Sequence, residues 1–276
     1  MGSPASQIGQ LALRSLSRIS MEDSMMSNRH VARLAGALFL IVIAAVLASS
    51  VLQGGVSGAD DIADTFRTVA DNTVSIRAST VLLMVAGVGT LALAAMLYAL
   101  TKRQDENLAI LALACRVVEA ALYAVKILSV LILLSLSQAP TAGEQELGAV
   151  VADVASWSTN VGAAFFAVGS TLFAYLLLRA RSIPVPLAAL GVGASLILVV
   201  GVPLETAASR TTAEGASIIM WLPMFVFEIA TGVWLLVRGA RTPIPDTSLV
   251  APAGDVRTRS ELAVRLPASQ AAQPGA

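Results

Sequence analysis

Arg116, Glu119, Tyr123 and Lys126 recur every three or four residues inside an apolar run from Leu108 to Leu136. At about 100° per residue they fall within an arc of roughly 80°, so two cations, a carboxylate and a phenol share one stripe. A second carboxylate, Glu228, lies deep in a later apolar run, Ala216 to Val237. Buried carboxylates of this kind exchange protons or bind cations, and a guanidinium beside them serves as counter-ion or anion clamp. Arg116, Lys126, Glu119 and Glu228 sum to zero charge, and opposite charges attract strongly in a medium of low dielectric. The expectation is that the two runs touch along this stripe. Asn160 in the fourth run and Thr231, one turn beyond Glu228, are placed to extend the network by hydrogen bonding. The same residues also suit a purely structural end, a neutral buried network that fixes helix register. Lys126 and Ser129, one turn apart, have the form of a Ser-Lys nucleophile pair, but serine is common in apolar helices.

The elements that must hold these groups are six runs with few or no charges: Leu34 to Leu52, Ala78 to Thr101, Leu108 to Leu136, Val154 to Leu178, Ile183 to Leu204 and Ala216 to Val237. Each is long enough to cross a hydrocarbon core, which takes about 20 residues of helix. None shows the polar-in, apolar-out alternation of a transmembrane barrel. The third run is marginal alone, because three central charges cost roughly 8 to 10 kcal/mol against about 5 to 10 returned by its Leu, Ile and Val. It should depend on its neighbours. Pro223, five residues before Glu228, removes a backbone donor and is a candidate kink. Gly87 and Gly89, Gly162, and Gly191 and Gly193 suit close backbone approach. The pairs Gly87/Gly89 and Gly191/Gly193 in the second and fifth runs, with Glu119 and Glu228 in the third and sixth, hint at an inverted 3+3 repeat.

Composition supports the membrane class. The 276 residues are 56% apolar and 13% charged, with a mean hydropathy of +0.78, whereas soluble domains carry about a quarter charged residues. Eighteen basic residues balance eighteen acidic ones, which gives no electrostatic support to a nucleic-acid partner. The partner expected is the lipid bilayer, with a small solute or ion as the candidate cargo. The one cysteine, Cys115, precludes an internal disulfide, and the one histidine, His30, precedes the first run. Haem ligation by paired histidines, a histidine metal cage and an intramembrane Ser-His-Asp triad have no residues to build them. No cofactor, catalytic set or metal-ligand set is expected, and nothing in the chain fixes an oligomeric state.

Basic residues set the direction. The N-terminal tail, the second and fourth connections and the C-terminal tail hold thirteen of them, including Arg29, Arg33, Lys102, Arg103, Arg179 and Arg238. The opposite side has only Arg67, Arg77 and Arg210. By the positive-inside rule both termini face the cytoplasm. The domain plan is a cytoplasmic tail over 1–30, a six-helix transmembrane domain over 31–240, and a Pro-, Ala-, Ser- and Arg-rich tail over 241–276, both tails expected to be disordered. The start, Met1-Gly2-Ser3-Pro4-Ala5-Ser6, fits a loose myristoylation pattern that arises often by chance. The first run exceeds a signal-peptide core and reads as an uncleaved anchor. In the first connection Ile62, Phe66 and Val69 recur at helical spacing, with Asp60 placed to cap, which predicts a short surface helix serving mainly as a connector.

Three segments together resemble a known family. They are Arg29-His30-Val31-Ala32-Arg33-Leu34-Ala35-Gly36, Cys115-Arg116-Val117-Val118-Glu119-Ala120, and Phe227-Glu228 followed by Leu235-Leu236-Val237-Arg238-Gly239. They look like the bacterial six-span family known as domain of unknown function 4386. The resemblance runs from about Arg29 to Gly239 and implies an all-helical inner-membrane protein. Its Arg-x-x-Glu-Ala motif coincides with Arg116, Glu119 and Ala120, whereas Lys126 lies outside it. The expected product is a multi-pass membrane protein handling a small solute or ion through its charged centre. The alternative is a membrane scaffold whose buried charges only fix packing.

Overall fold

Long apolar runs in this chain become helices because a helix satisfies its own backbone hydrogen bonds without water. The computed structural model describes residues 29–54, 62–138, 141–207 and 214–240. Among the described residues the protein is all-helical, with α1 at Arg29–Leu52, α2 at Ile62–Asp71, α3 at Thr73–Thr101, α4 at Glu106–Leu136, α5 at Ala142–Arg179, α6 at Val185–Ala207 and α7 at Glu214–Arg238. All except α2 are long and apolar enough to cross a membrane. Side chains such as Val88 and Leu128, 69% and 60% exposed, give these helices an outer surface suited to hydrocarbon rather than water. The N-terminal segment before Arg29, the C-terminal tail and the capping residue Asp60 lie outside the described residues.

Local signals set the helix ends. Asp105 caps α4 by accepting from the Leu108 backbone N–H at 3.1 Å. Thr141 and Glu144 form a reciprocal capping box that opens α5. This box starts α5 twelve residues before the apolar run begins at Val154. The helix therefore carries Glu144, Glu146 and Asp153 on a polar extension. Just past the end of α5, Arg181 has a left-handed φ of 50°, and Gly239, directly after α7, has φ 71°. Helix α7 passes through Pro223 and α6 through Pro203 without losing helical assignment.

From α3 to α7 each helix packs on the next, and α1 closes the ring between α7 and α3. A Cβ on Gly36 of α1 would lie 2.5 Å from the Leu236 backbone nitrogen and 2.6 Å from the Gly232 carbonyl oxygen of α7. These two backbones are in direct contact, which only glycine permits. On its other side, Ser49 of α1 donates to the Ser79 carbonyl of α3 at 3.2 Å. Gly87 packs against Tyr123 and Gly191 against Phe227, each on the next helix in sequence, but Gly193 meets nothing while Gly89 meets Val42. The glycine correspondence between the two halves therefore holds at one position of each pair.

The packed core lies toward the end of the bundle that carries Arg29 and Arg238. There Phe39, Leu97, Phe173, Leu177, Met224 and Phe227 are buried together. Short α2 is more than a solvated connector. Its Phe66 and Val69 are buried, and the Phe66 ring lies over Gly148 of α5, where a Cβ would collide with it.

Gly36→Val should destabilise the purified protein by at least about 2 kcal/mol, the scale of overpacking. Gly193→Ala, with open space around it, should be nearly neutral; denaturant unfolding in detergent reads both.

Candidate functional site

The charged stripe of α4 faces inward. Arg116 and Glu119 are 3% and 6% exposed, and the Arg116 Nη1 to Glu119 Oε2 distance is 2.8 Å. This ion pair lies within one helix, at i and i+3, where side chains share a face. The guanidinium carbon also stands 4.8 Å from the centre of the Phe166 ring on α5, a cation–π geometry. Gly169 makes room for the arginine stem, since a Cβ there would meet Arg116 Cδ at 3.3 Å. Arg116 Nε and Nη1 and Glu119 Oε2 nevertheless have no aligned hydrogen-bond partner. The pair is matched in charge and left short of hydrogen bonds.

A cavity of about 470 Å³ opens in front of this stripe. Helix α4 contributes Arg116, Glu119, Tyr123 and Lys126 to its wall, and α7 contributes Trp221, Phe225 and Glu228. Helix α5 adds Ser158, Thr159 and Phe166, and α3 adds Leu83 and Leu93. The α1 wall runs from Phe39 to Gln53, which is about 21 Å of helix. A smaller cavity of about 20 Å³ lies beyond Phe39, Leu93, Arg116 and Glu228, which line both spaces. Its further wall is the packed core, including Phe173, Leu177, Met224 and Phe227. Arg116 and Glu228 thus stand at the floor of the large cavity, where open space gives way to tight packing.

Five of the seven residues singled out from sequence line this cavity: Arg116, Glu119, Tyr123, Lys126 and Glu228. Asn160 and Thr231 do not. Thr231 is fully buried with no hydrogen-bond partner at its hydroxyl, because α7 turns it away from the wall that carries Glu228. Asn160 likewise falls between the α5 positions that face the cavity, Ser158, Thr159 and Gly162. The expected contact between the third and sixth spans is not made either. Among the described residues no Cα of α4 comes within 8 Å of one in α7. The charges face each other across space because α5 and α6 lie between these helices on one side, and α3 and α1 on the other. Glu228 stands within electrostatic range of Arg116 and Glu119 without a salt bridge to either. Lys126 makes no ion pair or hydrogen bond among the described residues. Ser129, the other half of the Ser-Lys idea, is committed to its own helix through the Val125 carbonyl at 3.0 Å.

Sequence reasoning missed a polar cluster and an aromatic wall. Gln53 donates to the hydroxyls of Ser49 and Ser79 at 3.2 and 3.1 Å, tying α1 to α3 beside the cavity. Ser49 and Gln53 are spaced i, i+4 at the end of an apolar run, a signal that was there to read. Phe166 and Trp221, with ring centres 5.7 Å apart, carry no such signal, since aromatic residues in apolar helices are most often lipid-facing or core.

Residues 34–239 match the family described as domain of unknown function DUF4386. The chain belongs to this family. Neither the curated proteins nor the solved structures contain a match to it. The matched span of this DUF4386 member starts in α1 and ends just after α7, so it covers every helix that lines the cavity.

Breaking the buried ion pair from one side leaves an uncompensated charge. Arg116→Met should cost about 3 to 5 kcal/mol of stability. Adding Glu119→Met to it should recover most of that loss, measured as a double-mutant cycle in denaturant.

Proposed function

We propose that this DUF4386 protein binds a small solute or ion in the large cavity and passes it across a membrane. Glu119 and Glu228 act as the protonatable groups and Arg116 as their counter-ion. The reading places the protein in a bacterial inner membrane with both termini in the cytoplasm, as the basic connections favour. It is a binding and passage protein rather than an enzyme, and its lipid surface and cargo are the partners proposed.

One observation carries this reading. Ionisable side chains from helices that do not pack on each other share the wall of a 470 Å³ space. That volume lies within the usual range for small-molecule sites. A network built only to fix packing would bring its charges into contact and close the space around them, since unpaired ions away from water are costly. Here Glu228 and Lys126 are held apart. The Arg116–Glu119 pair, closed within α4 at 2.8 Å, is the part that a scaffold reading explains equally well.

Reconstituted vesicles carrying an internal pH dye distinguish the two. The solute-handling reading expects wild type to move protons or solute when a panel of small solutes is added. It also expects Glu228→Gln to accumulate and insert normally with at least tenfold less flux. A scaffold expects no flux from wild type and poor accumulation of the mutant.

A further inference from the structure

Within the proposed solute-handling reading, on which this inference rests, the cavity charges are not equivalent. Arg116 and Glu119 neutralise each other at 2.8 Å, and Arg116 also covers Phe166. Among the described residues that leaves one anion, Glu228, and one cation, Lys126, each lining the cavity without an ion-pair partner. They stand at different depths. Glu228 borders the floor, lining both cavities, and its charged neighbours are Arg116 and Glu119. Lys126 is ten residues beyond Arg116 and seven beyond Glu119 on α4, about 10 to 15 Å further along the axis.

The surroundings differ in the same sense. Beside Glu228 the wall is aromatic. Phe225 is one turn from Glu228, Phe39 lines both cavities with it, and Tyr123 lies within electrostatic range of it. Rings around a carboxylate suit a cationic nitrogen, which they attract through their faces. Toward Lys126 polar groups join the wall. Gly162 packs on Leu122, which sets the register of the antiparallel α5 so that Ser158 and Thr159 stand level with Lys126. Gln53 and Ser50 at the end of α1 line the same space. Ser158 and Thr159 donate to the Ala155 carbonyl and Ser50 to the Val46 carbonyl, so the Lys126 ammonium is the group left to meet a carboxylate or phosphate.

We infer that the cavity takes a zwitterion: a cationic nitrogen at Glu228, an anionic group at Lys126, and an apolar stretch spanning the roughly 10 to 15 Å between their levels. Such a ligand leaves none of the four charges lining the cavity uncompensated. A simple cation would leave Lys126 unmatched, and a simple anion would leave Glu228 unmatched. The spacing also separates this ligand from zwitterionic lipid headgroups, whose charges are much closer together.

The test is calorimetric titration of the full-length protein in detergent with unbranched ω-amino acids of four, six, eight and ten carbons. Two single-ended probes accompany them, 8-aminooctanamide and the monoamide of octanedioic acid. Binding should be tightest at eight to ten carbons, whose extended lengths are about 10 to 13 Å. Each single-ended probe should bind at least about tenfold more weakly, since a charge-assisted contact is lost. Glu228→Gln should abolish the advantage of the amine while keeping that of the carboxylate, and Lys126→Met should do the reverse. The single-ended probes on wild type keep the test decisive if either variant fails to fold. Equal affinity for one-ended and two-ended probes would overturn the inference while leaving solute handling intact. So would the absence of binding across the series in a protein that shows solute-driven flux. Absence of both flux and binding would remove the solute-handling reading itself, and this inference with it.

Discussion

Ionised side chains cannot stand in hydrocarbon without a partner, and this bundle meets that constraint in two different ways. Arg116 and Glu119 meet it inside a single helix, at 2.8 Å and nearly full burial. Because that pair needs nothing from α7, the other two charges are released from holding the bundle together. Glu228 and Lys126 can then face a cavity instead of a partner. Had α4 depended on α7 for neutrality, as the summed charge suggested, the two helices would have to pack and the space between them would vanish.

The cavity in turn depends on where the helices are allowed to touch. Gly36 and Gly232 let α1 and α7 meet backbone to backbone near the end that carries Arg29 and Arg238. The aromatic and aliphatic core fills the same half. Toward the other end the walls part, and bulky side chains give way to Ser50, Gln53, Ser158 and Thr159. Tight packing below and open space above place Arg116 and Glu228 at a boundary between the two. Under the proposed function the barrier lies at this level, between the large space and the small one beyond it.

Much of the frame was legible in the residues themselves. Every apolar run has its helix, because hydrocarbon-length stretches of Leu, Val, Ile and Ala have no other way to satisfy their backbones. The boundary that differs most is the start of α5, where Glu144, Glu146 and Asp153 masked a helix that the Thr141 capping box begins. Family membership was legible too, from three short motifs that lie in separate helices. Helix α2 shows the limit of periodicity: the Ile62, Phe66, Val69 spacing gave the helix, but the seat of Phe66 over Gly148 depends on a residue eighty-two positions away. The charged stripe was readable because spacing fixes which residues of one helix share a face. Partners across helices were not, since charge balance says which groups suit each other and nothing about how the chain is threaded. Thr231 and Asn160 were misjudged for the related reason that a rotation of a few tens of degrees takes a polar group off the cavity wall.

The central claim is that one face of α4 borders a polar cavity while the other borders lipid. A nitroxide scan along α4 in bilayers tests it most directly, reading collisions with a water-soluble nickel chelate and with oxygen at Leu122 and at Val117, about 140° apart around the helix. The account predicts chelate access at Leu122, which lines the cavity, and oxygen access alone at Val117, which faces outward. Equal exclusion of the chelate from both positions, with equal oxygen access, would show that no polar space exists there and would contradict it.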